Sequence, residues 1–233
     1  MFAALLLAAT LAFAVEPPAS PAPELTPEAI ATPKVPLKEI GRIRATTAFC
    51  RGFITHFNAS ATTMLANDAE ISYIDFSLGG LEKHFRAFNS EKLLYEDRLR
   101  LMAYVKVLAA QLQPLQNEIN ELRRSAALTT DPARAKETRD VATSMQKAYD
   151  KQRQIALDTQ TVIWALVDAT AGKTNTAINT SLPGLGSDDP NMSFSPAAMR
   201  DVKSYLKFQN QLDRIGDAES AAAALAESVV GSC

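Results

Sequence analysis

The sequence predicts an all-α fold: an elongated helical bundle with a long antiparallel coiled-coil hairpin, preceded by a signal peptide and a Pro-rich linker. Three observations predict it. Apolar residues recur at alternating intervals of three and four along most of the chain, the period of helices packed at a shallow angle on a partner. Glycine is scarce, 9 in 233 residues, and falls mostly at element ends. No segment alternates apolar and polar residues in the way a half-buried strand does.

The first residues set the expected compartment. Phe2 to Phe13 are almost wholly apolar, and Ala12-Phe13-Ala14 has the small-x-small form that a signal peptidase reads. Such a run is shorter than the roughly 20 residues a spanning helix needs. Residues 1–14 are therefore expected to be a signal peptide, and the protein periplasmic or secreted. No cysteine follows the cleavage motif, which argues against a lipid anchor. No second long apolar run exists, so the mature chain is expected to have no integral membrane segment. Residues 15–36 carry Pro17, Pro18, Pro21, Pro23, Pro27, Pro33 and Pro36. Prolines at that density remove backbone donors and fix φ, so the segment is expected to be a disordered linker.

Residues 37–233 form the expected bundle. Ile40, Ile43, Thr47, Cys50, Ile54, Phe57, Ala61 and Met64 mark a first helical seam, widened by Phe49, Phe53 and Phe57. Asn67-Asp68 has the character of an N-cap, which opens the possibility of a second helix through Ile71, Ile74, Leu78, Leu81, Phe85 and Phe88. Leu101, Val105, Leu108, Leu112, Leu115, Ile119 and Leu122 then fill successive core positions without a gap. Pro114 falls on the opposite face, where it removes one hydrogen bond without ending the helix. Asp131-Pro132 is a helix restart, a capping residue followed by proline at the first helical position. Val141, Met145, Ala148, Gln152, Ile155, Thr159, Val162, Leu166 and Ala169 form the next seam. Two such rods joined by a few residues must fold back on each other, giving a hairpin over 91–172. Its polar tip is expected to project into solvent, and its end near Leu94, Trp164 and Leu166 to join the bundle. Pro and Gly punctuate a loop over 173–194, and helices resume over 196–230, divided at Gly216-Asp217.

The chemistry-bearing residues are few. Cys50 and Cys233 are the only cysteines, and an oxidising compartment would close them as a disulfide. His56 and His84 are the only histidines. A chain reversal near Asn67 would let them face each other beside Asp75 or Glu82, yet structural metal sites want a tighter set of three or four ligands. No metal, cofactor-binding or catalytic residue is assigned. The Cys-x-x-Cys-His pattern of covalent haem is absent. A Ser elbow is missing, and Ala171-Gly172-Lys173-Thr174 lacks the first glycine and the strand of a phosphate loop. Arg123, Arg124, Arg134, Lys136 and Arg139 gather at the hairpin tip, but Glu118, Glu121, Asp131, Glu137 and Asp140 lie among them. With a formal net charge of −2, no field directs the chain to nucleic acid. Sequons stand at Asn58, Asn179 and Asn191.

The reading these features support is an exported, non-enzymatic helical interaction or scaffold protein, chaperone- or adaptor-like, with no cofactor, meeting a protein partner through the hairpin. The alternative is a helical-bundle sensor or carrier that holds a small apolar ligand among Phe53, Phe57, Phe85, Phe88 and Trp164. Nothing in the pattern sets an oligomeric state.

Overall fold

Four long helices account for nearly all of the computed structural model, which describes residues 34–41, 45–85, 87–170 and 203–233. They are α1 (Ala48–Phe85), α2 (Ser90–Ser125), α3 (Pro132–Thr170) and α4 (Lys203–Gly231), with a single 3-10 turn, Ala126–Leu128, after α2. The described residues contain no strand. The signal peptide, the Pro-rich linker up to Pro33, the loop 173–194, the restart at Ser195-Pro196 and the sequons at Asn179 and Asn191 lie outside them.

Each helix starts or continues for a local reason. Thr47 caps α1: its Oγ1 accepts from the Cys50 N–H at 3.1 Å, and its carbonyl from the Arg51 N–H at 3.1 Å. The helix thus begins at Ala48, later than the seam from Ile40 predicts, and Ile40 lies outside it. Asp131 caps α3, its Oδ1 accepting from Ala133 N–H at 2.9 Å and Arg134 N–H at 3.4 Å. Pro114 is exposed within α2, which runs through it.

Most of both seams of the central pair is buried, though Val162 is only half-buried and Ile163 takes the core position beside it. Leu101, Val105, Leu108, Leu115, Ile119 and Leu122 on α2 have no exposed surface, and neither do Val141, Met145, Ala148, Gln152, Ile155 and Leu166 on α3. Paired amides tie the two helices from side to side: Gln116 Nε2 donates to Gln146 Oε1 at 2.8 Å and Gln146 Nε2 to Gln116 Oε1 at 2.9 Å. Burying a leucine or isoleucine in such a seam stabilises by roughly 1.5–3 kcal/mol.

Three sequence expectations change. The tip of the α2–α3 pair does not project free of the bundle, because the start of α1 packs on it. A β-carbon at Gly52 would stand 3.3 Å from Leu128 Cδ1 and 3.6 Å from Ser125 Cβ, which places this turn of α1 against the tip. Secondly, Asn67-Asp68 does not cap a second helix. It lies in the middle of α1, with Asn67 fully buried, because its amide bonds across the core to α3 rather than to its own backbone. Thirdly, Gly216-Asp217 does not divide the C-terminal region, and α4 runs through both residues.

The segment 34–41 fills the space between α1 and α4. Val35 N–H donates to Ser220 Oγ at 2.8 Å, Lys34 pairs with Asp217 at 2.8 Å, and Leu37 is buried. On the α1 side, Ile40 N–H donates to Asn58 Oδ1 at 2.8 Å while Asn58 Nδ2 donates to Ile40 O at 3.0 Å. Asn58 is thus occupied on both sides of its amide, which removes it as a free sequon.

Candidate functional site

A concentration of buried polar chemistry that crosses between helices lies half-way along α1. Asn67 Nδ2 donates to Gln152 Oε1 at 2.9 Å, and Gln152 Nε2 donates to Asp68 Oδ1 at 3.0 Å and to Met64 O at 3.3 Å. Asp68 in turn hydrogen-bonds Glu219 of α4. Four side chains from α1, α3 and α4 therefore form one chain of bonds. Two of its oxygens, Asn67 Oδ1 and Glu219 Oε1, have no hydrogen-bond partner among the described residues.

Two carboxyls side by side inside a bundle cannot both carry charge cheaply. Glu219 is only 7 % exposed, and burial, reinforced by the charge of Asp68, pushes its carboxyl up to about 9. Burial also raises Asp68, against which the Gln152 amide and the Glu219 hydrogen bond work. The stable arrangement is one shared proton: Glu219 donates, and Asp68, steadied by Gln152, accepts. The pair titrates as a unit. Such a constellation holds a proton.

The histidines are far from one another. Both sit on α1, 28 positions apart, so at 1.5 Å per residue about 42 Å separates them. His56 Nδ1 meets Glu118 Oε2 on α2 at 2.8 Å. His84 Nδ1 bonds the buried carboxylate of Asp97, which also meets Arg100 Nη1 at 3.3 Å. The chain reversal that would have paired them does not exist, since α1 continues past Asn67. No group of three or more His, Cys, Asp or Glu side chains among the described residues is placed to hold a metal ion.

Cys50 and Cys233 do come together, at the first turn of α1 and the last residue of the chain. Their sulfurs lie 2.19 Å apart and their Cα atoms 5.8 Å apart, the distance of a disulfide. The heptad position of Cys50 made this legible from sequence, because it faces inward. The chain matches no known protein family, curated protein or solved structure. Function must therefore be argued from the molecule's own surfaces.

Two expected sites are not assembled. Phe53 and Phe57 stack in the core near the start of α1, their rings 5.9 Å apart. Phe88 is fully exposed beyond the other end of α1, and Trp164 is 43 % exposed, so neither joins Phe53 and Phe57 in the core; the Phe85 side chain lies outside what the structure describes. At the tip, Arg124 pairs with Glu121, Arg134 with Asp131 at 3.5 Å and Lys136 with Asp140 at 2.6 Å. Three of the five basic side chains at the tip thus have an acidic partner close in sequence.

Sequence reasoning missed a different surface. Between Thr62 and Gly79, the exposed residues of α1 are Thr62, Leu65, Ala66, Ala69, Ser72, Tyr73, Phe76 and Gly79. None is charged. Phe76 is 84 % exposed and Tyr73 54 %, the latter stacked on Tyr104 of α2 with ring centroids 5.3 Å apart. The acids of this stretch, Asp68, Glu70 and Asp75, are half-buried at the edges of the strip. A solvent-facing strip of five turns without a charge is unusual for a bundle helix and is the mark of an interaction surface. Its signal was present in the sequence, as apolar residues on α1 left over after the core seam is removed.

Proposed function

We propose that this chain is an exported, non-enzymatic helical scaffold that meets another protein through the outer face of α1. The observation that carries the reading is the uncharged strip Thr62–Gly79, with Leu65, Tyr73 and Phe76 held in solvent on a rigid helix. Around it the bundle supplies stiffness, and the described residues offer no assembled catalytic group. The proposed docking face moves from the hairpin tip to this strip, since three of the tip's basic residues have acidic partners and α1 packs beside the tip. The expected coiled-coil hairpin is read as the stiff spine of this scaffold, its described part being α2 and α3.

Export fits the same picture. The apolar residues 1–14 have the form of a cleavable signal, residues 15–36 that of a Pro-rich tether, and the cysteine pair would close in an oxidising periplasmic or extracellular space. None of the four described helices is long and apolar enough to cross a membrane.

A photo-activatable residue placed at position 76 tests the reading in living cells, with position 147 on the outer side of α3 as the control. Crosslinked protein adducts from position 76 and none from 147 are expected. Equal adducts from both positions, or none from 76, would overturn the assignment of this face.

A further inference from the structure

We infer that the groove between α1 and α4 is a docking site for an extended peptide of a partner protein, one that carries an apolar residue between lysines, and that residues 34–41 of this chain are its resident, displaceable occupant. The inference goes beyond the outer strip of α1 and does not depend on it.

Residues 34–41 are held as a bound peptide is held. Among the described residues no backbone-to-backbone bond joins this segment to a helix. Side chains bond its backbone instead. Ser220 Oγ on α4 accepts from Val35 N–H, and the Asn58 amide on α1 both accepts from Ile40 N–H and donates to Ile40 O. In an extended residue the N–H and C=O point the same way, so one carboxamide can take both. That contact reads extended backbone whatever side chain the residue carries, and leaves selectivity to pockets beside it.

Burial alternates as an extended chain requires. Lys34, Pro36 and Lys38 face water, while Val35 is half-buried and Leu37 is buried. Leu37 is thus the anchor. The lysines meet α4 in step with this path, Lys34 on Asp217 at 2.8 Å and Lys38 on Glu227 at 3.8 Å. Ten helical positions rise about 15 Å and four extended residues about 13 Å, so the segment runs alongside α4 in the same direction. On its exposed surface from Asp213 onward, α4 carries Asp213, Asp217 and Glu227 against one base, Arg214. An acidic rail beside an apolar pocket selects a peptide with lysines on one side and an apolar residue on the other.

The hold is light. Both ion pairs are exposed and contribute little. The rest is one buried leucine, three bonds to the backbone and the bond that Thr62 Oγ1 donates to Glu39. With the segment out, the Cys50–Cys233 pair and the Asp68–Glu219 bond still keep α4 beside α1, so the groove persists. A resident tethered to its own site competes at an effective concentration on the order of 1 mM. A partner therefore enters when it binds more tightly than these few contacts do.

Fluorescence anisotropy of a labelled synthetic peptide with the sequence of residues 34–41, titrated with the full disulfide-closed chain, reads the site. Leu37→Asp should empty the groove, and this variant should bind the peptide at least about tenfold more tightly than wild type, whose own segment competes. Asn58→Ala added to Leu37→Asp should weaken binding by about tenfold, through loss of both bonds to Ile40. Peptides carrying Leu37→Asp, or Lys34→Glu with Lys38→Glu, should bind no better than a scrambled sequence. If Leu37→Asp loses the helical circular dichroism of wild type, Leu37→Ala with Lys34→Ala takes its place in the titration. A folded variant that binds no peptide up to about 1 mM, binds the scrambled peptide equally, or is indifferent to Asn58→Ala overturns the inference and makes 34–41 a fixed part of the fold. Sedimentation of Leu37→Asp mixed with wild type should show single chains; a two-chain species would put a second copy's segment in the groove and refute a separate partner.

Discussion

Helices α1 and α3 are built to the same inner pattern and differ in how they are held. Each is close to 40 residues long and buries a continuous seam. Helix α3 lies between α2 and α4, packs extensively on both, and turns a charged face to water. Helix α1 packs chiefly on α2, touches α4 sparsely, and turns an uncharged strip outward. Where side-chain packing between α1 and α4 is thin, other devices appear: the Cys50–Cys233 pair, the interposed segment 34–41, and the Asp68–Glu219 bond. A helix with a core on one side only must be fastened by specific contacts, and those contacts are where the molecule is most easily perturbed.

The largest expected effect is at the clasp. Joining Cys50 to Cys233 closes a loop of 183 residues, which in the chain-entropy treatment stabilises by about 5 kcal/mol. Cys233→Ser, compared with the oxidised chain by urea unfolding, should therefore lower the unfolding free energy by roughly 3–5 kcal/mol. Alkylated, reduced protein should behave alike. If neither loses more than about 1 kcal/mol, the α1–α4 side is held by packing after all, and the contrast with α3 fails.

Next comes the seam of the central pair. Leu108 and Ile155 are fully buried on α2 and α3. Leu108→Ala should cost about 2–5 kcal/mol, the lost transfer of the side chain plus the cavity it leaves. Val107→Ala, one position away but 42 % exposed, should cost less than about 1 kcal/mol. Thermal unfolding followed by far-ultraviolet circular dichroism separates the two, and similar losses at both positions would mean that the seam register is wrong.

The carboxyl pair gives a pH dependence with a definite sign. Free glutamate titrates near 4.5, and Glu219 in the folded chain near 9. Between those values the folded state keeps a proton that the unfolded state has released. Stability from this pair is thus fully present below about pH 4.5, declines as pH rises, and has gone above about pH 9. The total is of order a few kcal/mol, shared between two coupled groups. Glu219→Gln replaces the protonated acid with a neutral donor of like shape. Urea midpoints of the wild-type chain should fall between pH 5 and 9, while those of the variant stay level over that range. Parallel curves would show that the pair does not hold its proton in the folded state.

These comparisons also show how much was legible in the sequence. The rods, the Asp131 cap and the inward face of Cys50 could be read because each depends on residues close in sequence and on a strict period. The continuity of α1 could not. Asn67-Asp68 looks like a cap because local rules favour it, and only Gln152, 85 positions away, shows that its amide serves the core. Nor was the covering of the tip visible, since it depends on Gly52 meeting Leu128 across the fold. The Asp68–Glu219 pair was equally hidden, as neither acid has a periodic signature. The α1 strip occupies a middle case: its residues were in view, but which of two apolar faces is spare depends on which one α2 takes.

The smallest effect on stability distinguishes a surface kept for contact from one kept for folding. Phe76 is 84 % exposed and Leu65 43 %, so little of either is withdrawn from water within one chain. Phe76→Ser with Leu65→Ser should therefore shift the unfolding free energy of the chain by no more than about 0.5 kcal/mol, the usual range of surface changes. Lys147→Ser on α3 should do the same. The two differ in what they do to surface apolarity: the α1 variant should bind less of a fluorescent apolar dye such as ANS than wild type, and Lys147→Ser should leave dye binding unchanged. A loss of several kcal/mol from the α1 variant would place Phe76 and Leu65 in the core of the single chain, and the contrast between the outer faces of α1 and α3 would then be one of packing rather than of contact.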